Sequence, residues 1–208
     1  MPGLVIAAHG SADPRFTEIV ESVVSQVAAH RPDLDVRAGY LDHGTALETV
    51  ADQTSIVVPL FLTSGYHVRV DIPARTDAAV TAAVGPDRRL IGVLVRRLRE
   101  AGWRDEHPLV LAAAGSADDR ALADAQQMAR DLGDELGREV MAAFVGSGEP
   151  RLDDIEAAAV ATYLLAPGHF ADTLSRCGAG IVAAPLGADP VIAEIVLDRY
   201  DAAGVETV

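Results

Sequence analysis

Apolar and polar residues fall in blocks along this chain. Five apolar residues, Leu4-Val5-Ile6-Ala7-Ala8, run into His9-Gly10-Ser11, and an amphipathic stretch over residues 16–29 follows Pro14. A short unbroken apolar run reads as a strand buried on both faces, and the 3.6-residue period after it reads as a covering helix. Residues 36–41 predict a second strand ending at Asp42-His43-Gly44. Thr45 with Glu48 then has capping-box spacing for a short helix through Val50. Residues 56–62 predict a third strand, with Pro59 expected at an edge or bulge because proline has no ladder N–H. It closes in Thr63-Ser64-Gly65-Tyr66-His67. Residues 72–84 predict a helix, Gly85-Pro86-Asp87 a break, residues 88–93 a strand and residues 95–101 a helix stopped by Gly102.

The pattern then starts again. Polar residues 103–108 read as a linker, and Leu109-Val110-Leu111-Ala112-Ala113-Ala114-Gly115-Ser116-Ala117-Asp118-Asp119-Arg120 repeats the segment from Leu4 to Arg15, with nine of twelve positions identical. Residues 163–170 echo residues 61–67. The expectation is a tandem duplication: two similar α/β/α domains with Rossmann-like layers and mainly parallel four-stranded sheets, residues 1–104 and 105–208. Ligands of open α/β sheets bind beyond the carboxyl ends of the strands, where both His9 and His67 fall. The second copy has Ala114 in place of His9. If Gly168 matches Gly65, it has Phe170 in place of His67, with His169 opposite Tyr66. A role in folding would be needed twice, so the loss points to one site built by the first copy and walled by the second.

Composition narrows the function. The net charge of −14 argues against nucleic acid, and no apolar run reaches the roughly 20 residues of a membrane span. No signal peptide is visible, and the single cysteine, Cys177, fits a reducing cytosol, so a cytoplasmic protein is expected. Residues 1–105 carry 11 Arg against 13 acidic residues, while residues 106–208 carry 6 against 18. The first half is therefore the better host for an anionic ligand. Neither a Gly-x-Ser-x-Gly elbow nor a Gly-x-x-x-x-Gly-Lys phosphate loop is present. Two neutral imidazoles at one sheet edge suit a divalent metal or a proton relay.

The blocks Ala7-Ala8-His9-Gly10-Ser11 and Val58-Pro59-Leu60-Phe61-Leu62, with Gly65-Tyr66-His67 and Asp71-Ile72-Pro73, resemble the two signatures of the sirohydrochlorin chelatases. These are the class II, ATP-independent lyases of siroheme and cobalamin biosynthesis. Residues 164–168 with Phe170 and Asp172 resemble the second half of the two-domain members. The resemblance implies two α/β domains with a cleft between them. It also implies insertion of Fe²⁺ or Co²⁺, as substrate, into the tetrapyrrole sirohydrochlorin; the ligand set also suits Ni²⁺. No ATP and no organic cofactor are implied. By resemblance, His9 and His67 handle the metal and the pyrrole protons. Asp42 stands where the family often carries an acidic residue, as a further ligand or a base. Gly10, Ser11, Arg15, Tyr66 and Arg69 are candidates for holding the macrocycle and its carboxylates; Arg75 lies nearby, and His43 adjoins Asp42. The fused halves suggest a monomer. The alternative is a non-catalytic carrier of metal or tetrapyrrole, with much the same sequence.

Overall fold

The computed structural model describes residues 2–105 and 107–205. The first repeat runs β1 (Gly3–Ala8), α1 (Pro14–His30), β2 (Val36–Tyr40), α2 (Leu47–Val50), β3 (Ser55–Pro59), a π-helical turn (His67–Asp71), α3 (Ile72–Arg75), β4 (Ala79–Val80) and α4 (Arg89–Glu100). The second runs β5 (Leu109–Ala113), α5 (Asp119–Leu136), β6 (Met141–Phe144), a 3₁₀ turn (Leu152–Asp154), β7 (Ala159–Tyr163), α6 (His169–Leu174), β8 (Ile181–Val182) and α7 (Pro190–Val205). Each repeat builds an all-parallel sheet, ordered β2-β1-β3-β4 and β6-β5-β7-β8. The α/β expectation and the duplication therefore both hold in the fold.

The compact units cut the chain differently from the repeat. One unit is Met1–Gly85 with Ala188–Val208, and the other is Pro86–Gly187. The residue 104/105 division of the sequence reading thus falls inside a unit. Each repeat's last helix is exchanged: α7 packs on α1 and β3, and α4 on α5 and β7. Sequence adjacency places a helix after its strand but does not say which sheet will bury it. The expected linker joins α4 to β5 within the second unit, with the indole of Trp103 buried; Glu106 lies outside the described residues.

In the first unit, Val5, Ala7 and Val57 form a core with Leu47 of α2 and Ile72 of α3. The alternate strand residues Leu4, Ile6 and Val58 are buried on the opposite face, as a two-residue period requires. On α7, Ile192, Ala193, Ile195 and Val196 are fully buried.

Three sequence expectations change. Residues 72–84 form only the four-residue α3 and then β4, and the expected strand over residues 88–93 is instead the start of α4. Leu90, Ile91, Val93, Leu94, Val95 and Leu98 are all buried on α4, a helical spacing that outweighs the local richness in β-branched residues. The capping box does not form: Ala46 is the N-cap of α2, and it caps without its side chain. The Thr45 carbonyl accepts from the Tyr40 N–H instead, at 2.9 Å. Pro59 sits in an interior strand but at its last residue, past the final β4 pair at Val57, where no ladder donor is demanded of it.

Candidate active site

His9 is the first residue beyond β1. The β1–β2 ladder continues past both strand ends: Leu41 N–H donates to the Ala8 carbonyl at 3.0 Å, and Asp42 N–H to the His9 carbonyl at 2.8 Å. Gly10 then turns the chain with φ +93°. A Cβ there would lie 1.6 Å from the Asp42 carbonyl oxygen, so the strand end requires glycine on both counts. Asp13 is the N-cap of α1. Its Oδ1 accepts from Arg15 N–H at 3.0 Å, and Ser11 Oγ accepts from Asp13 N–H at 3.0 Å. The Arg15 guanidinium folds back onto the same carboxylate, with Nη2 to Oδ2 at 2.6 Å. Ser11 and Arg15 thus build the helix start, and the cap lies past the Gly10-Ser11 pair. Arg15 holds the Asp13 carboxyl below its ordinary value, through the side-chain hydrogen bond first.

His67 opens the π turn that follows β3. Its ring stands 4.9 Å from that of His9, nearly perpendicular at 87°. Phe61 stacks on it at 6.1 Å and Tyr66 meets it edge-on at 6.0 Å. Both histidines use Nδ1 internally. His9 Nδ1 lies 3.1 Å from the Gly10 carbonyl, and His67 Nδ1 lies 2.9 Å from Asp71 Oδ2. Both partners are acceptors, so each Nδ1 carries a proton; in the neutral ring that tautomer leaves Nε2 with its lone pair. The structure thus brings two imidazole rings together from the segments that follow β1 and β3.

Behind His67 the bonding continues. Arg75 Nε donates to Asp71 Oδ1 at 2.7 Å, and Arg75 Nη1 donates to the Leu41 carbonyl at 2.9 Å. Glu48 stands 3.4 Å from the same Nη1. Burial pushes the Asp71 carboxyl up, but its hydrogen bonds from His67 and Arg75 and their charges outweigh that and hold it below its ordinary value. The sequence reading placed Asp71 in a signature block and Arg75 near the macrocycle, and missed that they serve His67. The signal was the four-residue spacing of His67, Asp71 and Arg75, which puts them on one helix face.

The other expected residues are less gathered. The Asp42 carboxylate turns to His43, accepting from its N–H at 2.9 Å and lying 3.3 Å from its Nε2. Among the described residues, no three His, Cys, Asp or Glu side chains group closely enough to hold a metal. The structure thus assembles the two histidines without assembling Asp42 with them. Tyr66 is exposed, and Arg69 donates from Nε to the Ser64 carbonyl at 3.1 Å.

The second unit keeps the backbone of this site and loses its donors. Gly115 turns with φ +87°, Ser116 Oγ accepts from Asp118 N–H at 3.0 Å, and Gly146 N–H donates to the Ala114 carbonyl at 2.8 Å, the counterpart of the Asp42 bond. Asp42 is thereby matched by Gly146. Strand register supports the glycine match: Leu4 pairs with Ile56 and Leu109 with Ala159, and counting on from these pairs sets His67 against Phe170. The Phe170 ring comes within 3.3 Å of where a Gly146 Cβ would sit.

The CbiX family model matches residues 3–101. A sirohydrochlorin cobaltochelatase of Methanococcoides burtonii is 34% identical over 79 residues, which cover 34% of this chain and 60% of the relative. The chain thus spans about three-fifths of the length of the curated relatives it first matches. Among solved structures, SirB from Bacillus subtilis with Fe³⁺ superposes with a TM-score of 0.78 at 20% identity, covering 98% of this chain and 96% of that one. CbiX, described as the terminal enzyme for biosynthesis of siroheme in denitrifying bacteria, gives a TM-score of 0.74 at 23% identity, covering 97% and 99%. These two establish the shared fold.

Proposed function

We propose that this chain, whose residues 3–101 match the CbiX family model, is a chelatase that inserts a divalent metal, Fe²⁺ or Co²⁺, into sirohydrochlorin. The observation that carries this reading is the His9–His67 pair, its rings 4.9 Å apart and each Nδ1 already engaged. The incoming ion exchanges water for the two Nε2 nitrogens. Only two protein ligands hold it, so positions stay open for the four pyrrole nitrogens, and the site can release its metal where a closed four-ligand site would not. As the metal passes to the macrocycle, the freed imidazoles accept the two pyrrole protons.

In this reading Tyr66, exposed beside His67, offers a face for the macrocycle, and Arg69 a cation for its carboxylates. Ser11 and Arg15 keep their work at the helix cap. Asp42 acts on His43 and through solvent rather than as a direct ligand. The reaction uses no ATP, in keeping with a chain lacking a phosphate-cradling loop, and it proceeds in the cytosol in a monomer, whose two repeats are already joined.

The test is to incubate the protein anaerobically with sirohydrochlorin and Fe²⁺ or Co²⁺ and to follow the visible spectrum. A chelatase converts many equivalents above the uncatalysed rate. Conversion that stops at one equivalent identifies a carrier.

A further inference from the structure

The two repeats differ by one residue at an informative place. Ile56 pairs with Ala79, 23 positions on, whereas the equivalent Ala159 pairs with Ile181, 22 positions on. The first repeat thus carries one extra residue between its third and fourth strands. The segments agree up to Arg69, whose N–H donates to the Gly65 carbonyl as Asp172 N–H does to that of Gly168. They agree again at the fully buried Ile72 and Leu174, but now one position displaced. The extra residue therefore lies inside the π turn, where Ile72 N–H bonds to the His67 carbonyl five residues back. A one-residue insertion absorbed as a π turn is a recurrent device at functional sites. In the second repeat the same segment is the α-helix α6, and the positions of His67, Asp71 and Arg75 hold Phe170, Thr173 and Cys177. The fold is completed there without the three side chains, which vanish together.

We propose that Asp71, braced by Arg75, is a positioning residue for His67, and that the inserted residue of the π turn sets the pair. Asp71 accepts a hydrogen bond from the Nδ1–H of His67 and fixes the ring with Nε2 open. Arg75 holds the carboxylate from behind and ties it to the Leu41 carbonyl at the end of β2. A carboxylate behind a ligating histidine orients the ring and raises its basicity, and its loss typically costs about 10–100-fold in metal affinity or activity. This inference rests on the reading of His67 as the metal-handling residue.

The test uses the full chain labelled with ¹⁵N-histidine, with His67 assigned by its loss in His67→Gln. In the wild type at neutral to alkaline pH, His67 should show protonated Nδ1 and bare Nε2. Asp71→Ala should give mixed tautomers and lower kcat by about 10–100-fold, with KM for the tetrapyrrole kept within about twofold. Asp71→Glu should recover part of both. Arg75→Met, at a half-buried side chain, should shift both in the same direction by less, and it stands in if Asp71→Ala fails to fold. A wild-type His67 protonated at Nε2 would overturn the inference. So would an unchanged tautomer and kcat in the folded Asp71 or Arg75 variants. The nitrogen spectra need no turnover: a wild type that inserts no metal but shows the Nδ1–H form, lost in Asp71→Ala, removes the chelatase reading and leaves the positioning standing.

Discussion

Gly10 and Asp42 touch through their backbones: a Cβ on Gly10 would lie 1.6 Å from the Asp42 carbonyl oxygen. This contact seats His9 against the end of β2, since the Asp42 N–H also holds the His9 carbonyl. Gly10→Ala must move the strand end as well as bear left-handed strain, which alone costs roughly 1–2 kcal/mol. Gly102 is the control. It has φ +87° with open space around its Cβ position, so Gly102→Ala bears the strain alone. Denaturant melts should show Gly10→Ala clearly less stable than Gly102→Ala, and only Gly10→Ala should lose metal insertion.

The exchange of α4 and α7 predicts that the first repeat cannot stand alone. A chain cut after residue 104 lacks α7, whose Tyr200 hydroxyl donates to the Pro2 carbonyl at 2.6 Å and whose Ile192 and Val196 are fully buried. It also keeps an α4 with six buried apolar residues and without the second-unit core that covers them. Light scattering and thermal melting should find it aggregated or self-associated. A monomer with a cooperative transition would show that α7 is dispensable.

Alkaline pH should weaken the first unit through Tyr40. Its ring is buried on the last residue of β2, and burial first, then the charge of Glu21 and the hydrogen bond to it, pushes its hydroxyl up to about 12. The unfolded chain ionises near 10. The folded value is the higher one, so the contribution is complete below about pH 10 and is lost as pH rises towards 12. Tyr163 and Tyr200 are raised as well, both chiefly by burial. Denaturation midpoints should therefore fall across this window in the wild type and fall less in Tyr40→Phe. An equal fall in both would remove Tyr40 from the account.

Much of this was legible because β1 and β3 are unbroken apolar runs that stop at His9 and at the loop before His67. A parallel sheet leaves such endpoints few alternatives. The repeat was legible because turn chemistry is local: Gly10 and Gly115, and Asp13 and Asp118, do the same backbone work twice. What escaped depended on partners distant in sequence or on one residue of phase. The β-branched start of α4 masked its helical period. The destination of α4 and α7 is a packing fact with no local signature. Asp71 looked like part of a helix start: its four-residue spacing from His67 was in the sequence, but the π turn that carries the pair has no local signature. Asp42 looked like a ligand because it stands just past β2 where the resembled family often carries an acidic residue, while its carboxylate turns to His43.

The central claim is one active site, built by the first repeat on two histidines. Its most direct test compares metal insertion into sirohydrochlorin, at limiting Fe²⁺ or Co²⁺, by the wild type, His9→Ala, His67→Ala and the second-repeat variant Phe170→Ala, each confirmed folded by circular dichroism. The account predicts that both histidine variants fall to the uncatalysed rate while Phe170→Ala retains turnover. Turnover by His67→Ala near the wild-type rate would contradict it.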